Sequence, residues 1–272
     1  MTNREIRGQA WKLFGEHYVR FVPPMAILSM LLLAAELMDK VIVRAGTLRA
    51  SVVSLLVILF APVTQCGAAV LARSALMDKT PGLDVFFQPL RNFRTVANIW
   101  LTALVYVASS VLVSLVSAAI PLFISAYIPA ESAKTVNLWM MVLLYLPLVF
   151  IGFWVSLRLM LFPYAFARNP EQEAGQWLSA SWNAMRGECG RLIRLTLSTG
   201  WPLFLVMVLA IPLSRAAGLQ TQPAESILQM TILAAFMCFY FGYPLLALAG
   251  FAEEILDEYE GVRKPGRKKR VK

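Results

Sequence analysis

Five carboxylates crowd the stretch 253–260 near the end of this chain: Glu253, Glu254, Asp257, Glu258 and Glu260. Glu253 with Asp257 and Glu254 with Glu258 are four apart, so on a helix each pair shares a face. Carboxylates arranged this way either gather a divalent cation or belong to a solvated helical extension that pairs with the arginines of the stretch 179–197 or with the basic tail. A helix C-terminus is already negative, so acids there want a positive partner. The second reading is the expected one.

The other residues able to do chemistry are few. His17 is the single histidine and falls on the apolar face of a helical stretch, where it is expected to pack. Cys66 and Cys238 lie inside apolar runs, where a thiol behaves as a small hydrophobe. With no Cys-x-x-Cys pair, neither a zinc site nor a disulfide framework is expected. Hydrolase and phosphate-loop motifs are missing too. A membrane enzyme normally keeps ionisable groups within its spans. Here Glu36 and Arg158 sit only at the ends of apolar runs, and Gln65 and Asn137 are neutral. The chain is therefore expected not to be an enzyme, with no cofactor and no metal.

The elements that would carry these residues are apolar. Hydrophobic residues make up 58% of the 272 and charged residues only 15%, well away from the balance of a soluble domain. Six runs approach the length of a bilayer span: 21–37, 51–71, 99–121, 136–157, 195–213 and 227–249. Charged residues precede the first run and no small-x-small cleavage site follows it, so it reads as a retained helix. Prolines interrupt or end most runs, at Pro62, Pro121, Pro147, Pro202, Pro212 and Pro244.

Lysine and arginine orient such a chain, because they stay on the cytoplasmic side. With six spans, 20 of the 25 fall on the side holding both termini and 5 on the other. Both termini are expected to be cytoplasmic. The same asymmetry accounts for the net charge of +9 without a nucleic-acid partner. The tail "RKPGRKKRVK" is denser in charge than topology requires and is expected to meet anionic lipid headgroups.

Three amphipathic stretches precede the first, third and fifth runs. Ile6, Ala10, Leu13, Phe14, His17 and Tyr18 share one helical face; Phe86, Leu90, Phe93 and Ala97 recur at spacings of three and four; Trp177, Leu178, Trp182, Met185, Cys189 and Leu192 share a third face. Each is expected to lie at the cytoplasmic interface and lead into a hairpin of two spans. The fold class expected is all-α: a polytopic membrane protein with six transmembrane helices, three cytoplasmic interfacial helices and a threefold helix-hairpin repeat (units 1–73, 84–168 and 174–252). Residues 1–250 form one membrane domain and 251–272 a charged cytoplasmic tail.

One order of landmarks is distinctive: "LMLFPYAFARNP", then "SASWNAMRG", then "LTLSTGW". An apolar run closing on Pro163 and Tyr164, then Asn169-Pro170, then Ser181, Met185 and Gly187, then Trp201 opening a span, resembles a bacterial family of integral membrane proteins known as a domain of unknown function, family nine-seven-five. "VFFQPLRNF" and "REIRGQAWKLFGEHY" are similar to its earlier segments. This chain has Arg168 where the family usually has an acidic residue. The resemblance implies a six-helix membrane protein and carries no activity. With Arg158, these landmarks are the candidate functional or structural residues. The function expected is a structural or accessory protein of the bacterial cytoplasmic membrane, interacting with membrane proteins or lipids and with no nucleic acid. The alternative is a transporter or lipid-handling channel for a small or amphipathic substrate.

Overall fold

The computed structural model describes residues 1–42, 49–77, 82–105, 108, 150–216 and 222–261. Among them the secondary structure is helical throughout, with no strand. Several expectations fall outside these residues: the third run beyond 108, residues 136–149 of the fourth (with Asn137), Pro121, Pro147 and the basic tail.

The chain runs through α1 (Asn3–Ile42), α2 (Arg49–Leu76), the short α3 (Leu83–Phe86) and a 3-10 turn (Gln88–Arg91). It continues through α4 (Phe93–Val105) and α5 (residues 150–159). Then come α6 (Phe162–Arg168), α7 (Ala174–Ala184), α8 (Cys189–Ala216), α9 (Gln222–Tyr240) and α10 (Gly242–Tyr259). α10 lies at the centre, packed against α1, α2, α6, α7, α8 and α9.

Two zones follow from where the apolar side chains go. One end of the molecule holds a close-packed core that includes Ile6, Phe14 and Phe21 of α1, Leu71 of α2, Phe166 of α6, Trp177 of α7 and Phe251 of α10. Beyond it the helices expose large apolar side chains: Phe150, Ile151 and Phe153 on α5, and Leu197, Trp201, Phe204 and Leu205 on α8. In water such a belt would be costly, at about 25 cal/mol per Å²; hydrocarbon is its natural solvent. By length and composition, Phe150–Arg168 and Cys189–Ala210 are each able to cross a membrane. The pair Thr231–Tyr240 and Gly242–Tyr259 makes a third if counted as one span, though it bends by 50°.

That bend alters the expected sixth span. The run 227–249 is not one straight helix, because Pro244 falls in the first turn of α10. Proline is favoured there, where its missing N–H has no intrahelical acceptor to lose, and disfavoured within a helix.

The first expected interfacial helix is continuous with the first apolar run. α1 is one helix of 40 residues despite Pro23 and Pro24, which at 1.5 Å per residue is about 60 Å, twice the hydrocarbon thickness. Its expected face does pack, with Ile6, Ala10 and Phe14 buried. It packs against α10, with Phe14 reaching Gly242 so closely that an added Cβ there would lie 2.6 Å from the ring.

The second expected interfacial helix does not form. Phe86 is buried, but Leu90 and Phe93 are exposed at 44% and 80%, and Ala97 is exposed as well. Pro89 sits in the 3-10 turn, and Asn92 Oδ1 accepts the Arg94 N–H at 3.0 Å, starting a new helix. The phase is reset, and α4 buries Val96, Ile99 and Thr102 instead. The third expected face is split as well. α7 ends at Ala184, Gly187 turns at φ +90, and α8 begins at Cys189. Trp177, Met185 and Leu192 are nevertheless fully buried.

α2 and α3 meet at Gly67, where a Cβ would run into the Phe86 carbonyl. That carbonyl is backbone and cannot swing aside. Gly67→Ala is expected to cost about 1–3 kcal/mol, seen as a lower Tm of the purified protein. An unchanged Tm would mean that the two helices do not approach this closely.

Candidate functional site

The carboxylates after the sixth run are solvated only in part: Glu258 and Glu260 are exposed, but the segment packs. α10 runs unbroken across 250 and 251, and Phe251, Ala252, Ile255 and Leu256 are buried. These four lie at i, i+1, i+4 and i+5, an apolar stripe that the alternating charges conceal in the sequence. Burying the stripe draws Glu253 and Glu254 inward, to 19% and 11% side-chain exposure. Charges so placed need partners, and arginines supply them.

Arg73, near the end of α2, donates from Nε to Glu253 Oε1 at 2.6 Å. Its Nη1 donates to the carbonyls of Ala167 and Arg168 at 3.0 and 3.4 Å, serving the end of α6. Arg168 is the last residue of α6. It reaches Glu253 at 3.4 Å, Asp257 at 2.7 Å and Glu260 at 2.9 Å. Two helix C-termini, those of α6 and α10, therefore meet around two guanidinium groups, where positive charge is favoured.

A second cluster lies alongside. Arg191 on α8 donates to Glu254 at 2.6 Å and to Glu188 at 3.4 Å. Its Nε donates to Asn3 Oδ1 at 3.1 Å, and Asn3 Nδ2 donates back to the Arg191 carbonyl at 3.0 Å. The Met1 amino group also contacts Glu254. The expectation that arginines would meet the acidic segment thus holds for Arg191. Together the two clusters tie α10 to α1, α2, α6 and α8. Among the described residues, no three His, Cys, Asp or Glu side chains are grouped to hold a metal ion.

The landmark residues surround this clamp. Pro163 lies in the first turn of α6 and Pro170 follows its end, with Asn169 between at φ −136 and ψ 79, out of the helical region that a following proline disfavours. Tyr164 is buried, and its hydroxyl donates to the Leu245 carbonyl at 3.4 Å. The Asn169 carbonyl accepts the Trp177 indole N–H at 2.9 Å. Ser181 is fully buried and donates to the Arg158 carbonyl at 2.6 Å, joining α7 to α5. Met185 is buried at the end of α7, and Gly187 supplies the left-handed turn that most residues resist. Trp201 stands apart, 59% exposed on α8 in the apolar belt.

Arg158 itself lies against two indoles. Its guanidinium carbon is 4.1 Å from the Trp154 ring centre and 4.8 Å from that of Trp182. Gln65, a neutral polar residue within the second run, is exposed on α2. A shallow open cleft of about 480 Å³ lies beside Asn169, Gln176, Ser179 and Tyr259.

Sequence reasoning singled out Arg158 and the landmarks but missed Arg73 and Trp154. Arg73 gave no signal beyond topology. Trp154 stands four residues before Arg158, one helical turn away.

Among the described residues these features define an all-helical architecture in which two helices, or three with the bent pair, are apolar enough to cross a membrane. No family model, curated protein or solved structure matches the chain.

Proposed function

We propose that this chain is a six-span integral protein of the bacterial cytoplasmic membrane with both termini cytoplasmic. It serves without catalysis as a structural or accessory partner of other membrane proteins or lipids. The family of unknown function it resembles is the proposed kinship, and the threefold hairpin repeat is its proposed plan.

The observation that carries this reading is the clamp. Asn3, Arg73, Arg168, Arg191 and the α10 carboxylates come from four segments separated in sequence by apolar runs, yet they meet at one end. Segments that return to the same side are separated by an even number of crossings. The count of 20 basic residues against 5 asks for the same arrangement. The core at that end is filled by apolar side chains and closed by ion pairs, as suits a scaffold. The alternative of a transporter or lipid-handling channel draws support from the 50° break between α9 and α10, where a hinge can sit.

Reporter fusions at both termini, joined to in-membrane crosslinking, test the proposal. Cytoplasmic signals at both ends and a reproducible set of crosslinked membrane proteins or lipids are expected. An extracytoplasmic signal at either end overturns the orientation. Solute or lipid flux in reconstituted vesicles, with no crosslinked neighbours, would favour the alternative.

A further inference from the structure

The Arg158 box lies outside the clamp and has no task within it. Its chemistry is that of an anion receptor. The two indoles stand at 82° to each other with centres 5.4 Å apart, forming two walls around the guanidinium. The Nε is buried against them with no acceptor. Among the described residues no carboxylate pairs with Arg158, whereas Arg73, Arg168 and Arg191 each have at least one. A guanidinium bounded on two adjacent sides by aromatic rings still presents its terminal N–H groups, the edge that matches two phosphate oxygens.

The backbone is fixed as well. Ser181 holds the Arg158 carbonyl, so the box is built jointly by α5 and α7. Its height in the molecule is informative. Phe150, Ile151 and Phe153 just before it are at least half exposed, and Leu157, Leu159 and Leu161 around and after it are buried. The box thus lies where the apolar belt gives way to the packed core. With the fourth span ending at Leu157, as the proposed six-span plan has it, that level is the headgroup region, where tryptophan and snorkelling arginine concentrate.

We propose that Arg158, walled by Trp154 and Trp182, binds the phosphate of an anionic phospholipid. The inference rests on the chain being embedded in a membrane. The bound lipid supplies the anionic partner that Arg158 lacks among the described residues, meeting its terminal N–H groups, and its acyl chains lie along the exposed face of α5. Binding a phosphate here tethers α5 and α7 to the bilayer surface at one height.

The test is native mass spectrometry of the full-length, delipidated protein titrated with phosphatidylglycerol, with an uncharged glycolipid as control. Arg158→Gln is expected to weaken phosphatidylglycerol binding about tenfold, as befits loss of charged hydrogen bonds, while leaving glycolipid binding unchanged. Arg158→Lys keeps the charge and should fall between. Trp182→Phe keeps a ring and guards against loss of fold; it should weaken binding less than Arg158→Gln. Phosphatidylglycerol binding by Arg158→Gln equal to that of the parent protein overturns the site. Competition by millimolar inorganic phosphate would keep the phosphate receptor but overturn its lipid source. Carbonate extraction of native membranes separates the two levels. A chain released by carbonate would sink the membrane reading itself. A retained chain with unaltered Arg158→Gln binding sinks only this site.

Discussion

Replacing Trp177 by alanine is expected to destabilise the solubilised protein by about 3–5 kcal/mol, a fall of roughly 10 °C in Tm. The side chain has no exposed surface. It meets Phe166 edge to face at 5.1 Å and donates to the Asn169 carbonyl at 2.9 Å. Truncation leaves a cavity between α6 and α7 and strands a carbonyl at the turn that places Arg168. Trp177→Phe separates the two losses. It keeps most of the volume and removes only the donor, so about 1–2 kcal/mol is expected. Thermal unfolding followed by size-exclusion retention reads both. Equal Tm values for Trp177→Ala and the parent would mean that α7 does not dock on α6 as described.

Arg168→Ala is the second large effect, about 2–4 kcal/mol. One guanidinium serves three carboxylates, and its own side chain is only 12% exposed. Glu253 keeps Arg73 when Arg168 is lost. Asp257 and Glu260 are 42% and 34% exposed, and water offsets part of their loss. Most of the cost is therefore repulsion among carboxylates left together at a helix C-terminus. Neutralising them should restore stability: Arg168→Ala with Asp257→Asn and Glu260→Gln is expected to recover at least half of the deficit. A triple variant no more stable than Arg168→Ala would show that Arg168 acts through something other than these charges. The same cycle, run in high salt, should shrink.

The helical class was legible because composition and run length speak directly to it. The face of Ile6, Ala10 and Phe14 was legible because nothing between those residues breaks the helical period. The face proposed for Phe86, Leu90, Phe93 and Ala97 failed at Pro89 and Asn92, which end one helix and start another. Spacing survives such a reset on paper but not in space. Pro163, Pro170 and Gly187 could be found as landmarks, since each acts on its own backbone. The clamp could be foreseen only in part. Carboxylates at i and i+4 announce a need for positive charge, but which arginines answer depends on contacts such as Arg73 with Glu253, 180 positions apart. The Arg158 box was half visible, with Trp154 one turn away in sequence and Trp182 brought in by the docking of α7.

The central position of α10 has a consequence for biogenesis. The helix against which α1, α2, α6, α7, α8 and α9 all pack is the last described one to leave the ribosome. A chain is made from its N-terminus onward, and its parts begin to fold as they appear. Until α10 emerges, α1 and α2 have, among the described helices, only each other and α3, α6, α8 and α9 to pack on, and Arg73 and Arg168 await their carboxylates. The arrival of α10 completes the core and brings Glu253, Glu254 and Asp257 to their arginines together, so this end of the molecule closes when α10 docks rather than hairpin by hairpin.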